Sequence, residues 1–169
     1  MKKLKILFLA LVIANLFWGC EKDDICEDGT PTTPRLIIEF YKNSNPTIKE
    51  NVTDLAVVNE SLTPADTLDF DGVSKVEIPL KTTEDITKYS FILDSNNPIL
   101  SLRNSDKFEI TYTRKDLFIS RACGYKTVFT ITNTNTNMVL PDANNWVKQV
   151  EIKQHNILNE DEIHVKIFL

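Results

Sequence analysis

Three cysteines carry most of the chemistry this chain offers, and the first is the most informative. Cys20 closes Leu16-Phe17-Trp18-Gly19-Cys20, behind a basic tip of Lys2, Lys3 and Lys5 and an apolar stretch from Ile6 to Ile13. A charged start, a short apolar run and a small residue before the processing point describe a secretory signal. A cysteine directly after that small residue makes it a lipoprotein signal, whose thiol takes diacylglycerol and palmitate-type acyl chains. The mature chain is expected to begin at Cys20. The apolar segment, roughly 13 to 15 residues, is shorter than the about 20 that a spanning helix needs. Polar Asn15 and Gly19 interrupt its end, and the charged Glu21-Lys22-Asp23-Asp24 follows at once. Attachment would then come from the acyl chains, at about 0.8 kcal/mol per buried methylene.

Cys26 and Cys123 remain once Cys20 is lipidated. In an exported protein the compartment is oxidising, and an even pair of cysteines in a modest domain reads as a disulfide. Such a bridge would tie the start of the domain to a central strand. The competing reading is a reactive thiol at Cys123 beside Gly124, which needs a nearby base that lowers its pKa.

Other constellations are weaker. Asp69-Phe70-Asp71-Gly72 resembles the opening of a calcium loop, but the twelfth residue from Asp69 is Leu80 where that loop requires Glu. A plain acidic turn is expected. His155 and His164, the only histidines, lie nine residues apart, and no cluster of Cys or carboxylates completes a zinc set around them. A solvated pair on neighbouring strands is the expectation, and neither a metal nor a cofactor is implied. No nucleophile elbow supports a serine hydrolase, and paired glycosidase carboxylates cannot be picked out of an acidic chain. Trp146, in Asn144-Asn145-Trp146, is the one large aromatic in a polar loop setting. It is a candidate for stacking on a sugar ring, set against the commoner role of a core or sheet-edge tryptophan.

The elements that must position these residues are strands. From Glu21 to Pro34 the chain is acidic, Thr, Pro and Gly, without an apolar period, and reads as an extended tether. Period-two alternation follows in short runs, the mark of strands with one buried face. Leu36, Ile38 and Phe40 alternate with Arg35, Ile37 and Glu39; further runs centre on Ile78, Phe91, Ile110, Phe129, Ile152 and Val165. Between them lie turn-formers such as Asn43-Ser44-Asn45-Pro46, Asp71-Gly72 and Asn104-Ser105-Asp106. Asn156-Ile157-Leu158-Asn159 is expected to tip a hairpin joining the last two strands. Pro79 is expected at an edge or a strand end, because it cannot donate to a ladder.

At least seven strands without intervening helices favour an all-β antiparallel β-sandwich, Ig-like or related, with a β-barrel as the alternative. The organisation expected is residues 1–19 as signal peptide, 20–34 as lipidated tether and 35–169 as the β-sandwich domain. Without its first 19 residues the chain keeps 16 basic against 24 acidic side chains, a net charge of −8. That balance argues against nucleic acid, whose binding rests on neutralising phosphates, and against adsorption to anionic lipid.

Cys20-Glu21-Lys22-Asp23-Asp24 resembles the lipoprotein export signal of Bacteroidota, in which a Lys and acidic residues after the lipidated Cys direct a protein to the outer face of the outer membrane. Cys26-Glu27-Asp28-Gly29-Thr30-Pro31-Thr32-Thr33-Pro34-Arg35-Leu36, with Cys123-Gly124-Tyr125-Lys126 downstream, resembles a domain-of-unknown-function family of small lipoproteins from those bacteria. That resemblance implies no catalytic residue and no ligand, and it agrees with the disulfide because both cysteines fall in its motifs. Asp66-Thr67-Leu68 is similar to the acceptor of the Bacteroidota O-glycosylation system, which makes Thr67 a candidate modification site.

The functional expectation is a lipid-anchored outer-membrane lipoprotein, at the cell surface rather than the periplasmic face, acting as a non-enzymatic binding or accessory module. Its partners would be the membrane, through the N-terminal lipid, and an envelope protein or glycan. The alternatives are a glycan-handling protein or enzyme acting on polysaccharide, and a structural envelope component.

Overall fold

The period-two runs become strands of a two-sheet, all-β fold in the computed structural model, which describes residues 25–62 and 65–169. Among the described residues eleven strands follow one another: β1 Leu36–Lys42, β2 Asn45–Lys49, β3 Leu55–Asn59, β4 Asp66–Phe70, β5 Lys75–Ile78, β6 Ile86–Leu93, β7 Asn104–Ser120, β8 Gly124–Ile131, β9 Gln149–Ile152, β10 Asn156–Ile157 and β11 Val165–Phe168. One sheet has the order β2-β1-β11-β9, with β5 also paired to β1; the other runs β10-β8-β7-β6-β3-β4. The expected sandwich is the architecture observed. By contacts the chain divides into two units. Residues 31–117 with 126–169 form the larger, and, of the described residues, 25–30 with 118–125 form the smaller.

The inward face of the larger unit is built by the residues whose alternation marks the strands. Leu36, Ile38 and Phe40 of β1 join Val76, Ile78, Phe91, Phe108, Ile110, Phe129, Val150, Val165 and Ile167 in one buried cluster. Phe91 stacks on Phe108 with ring centroids 4.2 Å apart, and Tyr112 meets Phe129 edge-on at 5.1 Å. Burying one such side chain is worth about 1.5–3 kcal/mol, so this cluster dominates the stability of the unit.

Several expectations are corrected. β3, Leu-Ala-Val-Val-Asn, has no alternation because both of its faces are covered; a short apolar run of this kind does not reveal its period. β2 contains Pro46 and all of it is exposed. It pairs with β1 alone, at the sheet edge where a missing donor is tolerated. The outward side of β1 is also covered: Glu39 is buried, accepts from Tyr41 Oη at 2.7 Å and pairs with Lys49 Nζ at 2.7 Å. Burial favours the neutral carboxyl, but the bonds from Lys49 and Tyr41 outweigh it and hold Glu39 below the usual carboxylate range. The same burial, with Glu39 adjacent, pushes the Tyr41 phenol up to about 12. Asn104-Ser105-Asp106 does not form a turn but begins β7, and Pro79 follows the end of β5 as expected.

Asp106 explains that difference. Its side chain is fully buried and accepts the backbone N–H of Val147 at 2.9 Å and of Trp146 at 3.3 Å. Burial pushes its carboxyl above the ordinary value, against the N–H donors that favour the charged form. The carboxylate thus does the work of a strand ladder for a loop that has none. Trp146 itself is 8% exposed, its Nε1–H donates to the Phe91 carbonyl at 3.2 Å, and its ring lies 6.4 Å from that of Phe40. It is a core residue; the sugar-stacking role is set aside because the indole is buried.

β9 and β11 pair antiparallel, with Ile152 opposite Val165 and Val150 opposite Ile167, as the alternation implied. Their connection is not a simple hairpin tip: Asn156 and Ile157 leave to pair with Thr130 and Phe129 of the other sheet. β11 also pairs in parallel with β1, Ile38 opposite Val165. His164, just before β11, is buried rather than solvated. The Ile37 N–H donates to its Nδ1 at 3.0 Å, and its own N–H donates to the Ile37 carbonyl at 3.1 Å. Burial lowers its pKa, and neighbouring Glu162 and Glu160 with the Asn159 backbone only partly offset that. His155 is exposed, with Nδ1 2.9 Å from the Ile131 carbonyl.

Two outcomes are expected. Asp106→Ala leaves two buried N–H donors without acceptors, at about 1–3 kcal/mol each, so urea denaturation should show a loss of about 3 kcal/mol. For His164, the unfolded chain takes a proton first as pH falls below about 6.5, so folding stability declines from there toward the lower folded-state pKa. His164→Asn keeps an acceptor near the Nδ1 position without titrating, and urea midpoints across pH 5 to 8 should lose that decline.

Candidate functional site at the bridged hairpin

The smaller unit gathers the chemistry-bearing residues that the core leaves outside. Cys26 and Cys123 are joined by a disulfide with Cα atoms 4.9 Å apart and a sequence separation of 97 residues. The reactive-thiol reading of Cys123 is thereby closed. Both cysteines adjoin turns that need a left-handed residue. After Cys26, the Thr30 N–H closes a turn onto the Glu27 carbonyl at 3.2 Å, with Gly29 at φ 84° in its third position. After Cys123 comes Gly124 at φ 70°, while the Cys123 N–H donates to Ser120 Oγ at 3.0 Å. A side chain at such φ values is disfavoured by Cβ sterics, which gives a physical reason for the glycine in each of the two motifs.

Residues 118–125 are the tip of the β7–β8 hairpin. Phe118 and Tyr125 flank the turn and meet edge to face, centroids 5.3 Å apart. Each stays open to solvent, Phe118 at 60% and Tyr125 at 69%, and Ile25 on the bridged segment is 79% exposed. A cleft of about 640 Å3 lies among Ile25, Glu27, Thr30 and the chain from Phe118 to Cys123. The described charges of this unit are Glu27, Asp28 and Arg121, so the surface is apolar with mixed charge rather than cationic.

The other candidates are scattered. Cys20 lies outside the described residues. Thr67 is exposed on β4, the last strand in its sheet order, opposite Val58. Arg35, in the Thr-Thr-Pro-Arg-Leu segment, grips Glu160 with Nε and Nη2 at 2.8 and 2.6 Å and holds its carboxyl down to about 2. Among the described residues no group of three or more His, Cys, Asp or Glu is arranged to hold a metal ion. A second apolar surface is the 3-10 turn Leu100–Leu102, where Ile99, Leu100 and Leu102 are all exposed.

Residues 47–169 match the model of a family of unknown function. The chain belongs to that family, DUF6452. No curated protein and no solved structure matches it. The DUF6452 match includes Cys123, Phe118, Tyr125 and the turn Leu100–Leu102, but starts after Ile25, Cys26 and Arg35. It therefore agrees with a domain of unknown function and leaves the Cys20 signal and the Cys26–Leu36 motif outside its span.

Sequence reasoning overlooks Phe118, Tyr125 and Ile25 as a surface because the run centred on Ile110 gives no sign of its length, whereas β7 continues to Ser120. The available signal was two aromatics flanking Ser-Arg-Ala-Cys-Gly, the pattern of a cross-strand pair around a turn.

Removing the bridge frees the unfolded chain from a loop of 97 residues. Chain entropy values that constraint at about 4–5 kcal/mol as a ceiling, so the paired variant Cys26→Ser with Cys123→Ser should lose up to about that much in urea denaturation. An unchanged midpoint would mean the bridge constrains nothing.

Proposed function

We propose that this chain is a lipid-anchored lipoprotein of the outer membrane, exposed at the cell surface, whose sandwich serves as a non-catalytic binding or accessory module. The observation that carries the reading is the Cys26–Cys123 disulfide six residues beyond Cys20. Disulfides persist in oxidising compartments, so the bridge supports export independently of the apolar leader, and Cys20 stands where a lipoprotein signal places its acylated residue.

The module half of the reading is supported by what the core has absorbed and what it has left. Trp146 and His164, which could have served a ligand, are buried in packing and backbone hydrogen bonds. Apolar side chains remain exposed at the bridged hairpin and at Ile99, Leu100 and Leu102. Concentrated exposed apolar side chains mark contact surfaces. The glycan reading loses the support of Trp146, whose side chain is buried. Thr67, with its hydroxyl on an exposed edge strand, suits glycosylation of the mature protein.

The test is fractionation of native cells. Cys20→Ser should move the protein from the membrane pellet to the soluble fraction, and mass spectrometry of the native N-terminal peptide should find acyl chains on Cys20. Protease shaving of intact cells should remove the domain. Protection until lysis would overturn the surface assignment.

A further inference from the structure

We propose that the tip of the β7–β8 hairpin rests in the interfacial layer of the bilayer that anchors the chain, with Phe118, Tyr125 and Ile25 as the inserted side chains. The inference rests on the reading that Cys20 is lipidated, and it adds an orientation to it. Cys20 and Cys26 are six residues apart. A fully extended chain advances at most about 3.3–3.6 Å per residue, so the acylated sulfur and the disulfide can be separated by no more than about 20 Å plus side chains. That is less than the hydrocarbon thickness of one bilayer, about 30 Å. The bridge then passes this proximity to the hairpin, because Cys123 is in the same turn as the aromatic pair.

The tip has the composition such a position asks for. Aromatic side chains with a polar handle, such as Tyr, favour the membrane–water interface, and Phe118 and Ile25 add apolar area that water otherwise covers. Ser120 Oγ and the Cys123 N–H satisfy each other within the turn, as a segment approaching lipid requires. Arg121 beside the turn is exposed and able to reach headgroups with its charged end. Glu27 and Asp28 offset that charge, so the contact depends on apolar burial and not on anionic lipid. Zwitterionic membranes are therefore the appropriate probe.

The mature chain 20–169 has one tryptophan, the buried Trp146, since Trp18 precedes the processing point. With Cys26 and Cys123 bridged, the Cys20 thiol is free for coupling to a maleimide lipid in phosphatidylcholine vesicles. In this chain Tyr125→Trp places a reporter at the tip. On vesicles containing brominated phosphatidylcholine the reporter's emission should shift to the blue and lose intensity, while the parent chain with Trp146 alone should not respond. Adding Phe118→Ser to the reporter chain should diminish both changes. Emission that keeps its water-exposed wavelength and is not quenched, while the protein stays coupled, overturns the proposal. A blue shift without bromine quenching would also overturn it, because the tip would then be covered by a second copy of the chain. Coupling is chemical, so these results stand whether or not cells acylate Cys20; that separate question is answered by the fractionation of Cys20→Ser.

Discussion

The parallel pairing of β1 with β11 is the constraint on which the larger unit depends. β1 is the first strand and β11 the last, yet they lie side by side in the middle of their sheet, with β2 and β5 on one flank and β9 on the other. Neither half of that sheet is complete until residues more than 120 apart in sequence have met, as the Ile37–His164 bonds show with a separation of 127. Closing so long a loop costs entropy that only the finished core offsets. This accounts for the density of apolar side chains on β1, where Leu36, Ile38 and Phe40 are all fully buried. It also accounts for His164. A neutral imidazole accepting a buried backbone N–H aligns the two strands where an ordinary ladder bond is missing, and its burial keeps it neutral.

Polar groups elsewhere in the core follow the same rule of completing a backbone that the strands leave incomplete. Asp106 receives two N–H groups from the loop before β9, Asn133 Oδ1 accepts the Thr111 N–H at 2.6 Å, and the Thr87 hydroxyl meets Tyr112 Oη at 2.6 Å. Among the described residues no buried side-chain nitrogen or oxygen lacks a partner. A buried carboxylate raised in pKa by desolvation is a cost, and Asp106 is retained where two donors from one loop converge on it. Such a residue stabilises the loop's placement, and Trp146 with its indole N–H on the Phe91 carbonyl depends on that placement.

Much of this was legible in the sequence where a strand had one wet and one dry face. The alternation at Ile78, Phe91, Ile110, Phe129, Ile152 and Val165 marks strands that the structure contains, and the β9–β11 pairing follows from it. Legibility failed where both faces are covered, as in β3 and the outward side of β1, and where an edge needs no apolar face at all, as in β2. It failed again where a residue type common in turns is used for long-range bonding. Asn104-Ser105-Asp106 has turn chemistry by composition, but Asp106 is taken by a partner 40 residues away, which no local pattern reports. The disulfide was legible because it depends on compartment and count rather than on geometry. The aromatic tip beside it was not, because a strand of 17 residues exceeds the usual length at which a period-two run is ended.

The position of that disulfide separates two roles a bridge can have. Cys26–Cys123 lies in the smaller unit, against a hairpin turn whose aromatics remain exposed, and not among the strands of the core. Its loop-closing effect on the unfolded chain is the same wherever the two sulfurs meet. Location is therefore free to serve another purpose, and the local effect is to fix the first described residues against the hairpin tip through a covalent link with turn glycines on both sides. A tether joined to the body by flexible residues alone would let the domain sample all orientations about its anchor. Were Cys20 the attachment point, a staple six residues beyond it would restrict them. The exposed Phe118 and Tyr125 lie on the stapled segment, so under the proposed lipidation this arrangement of cysteines would confer orientation as well as retention.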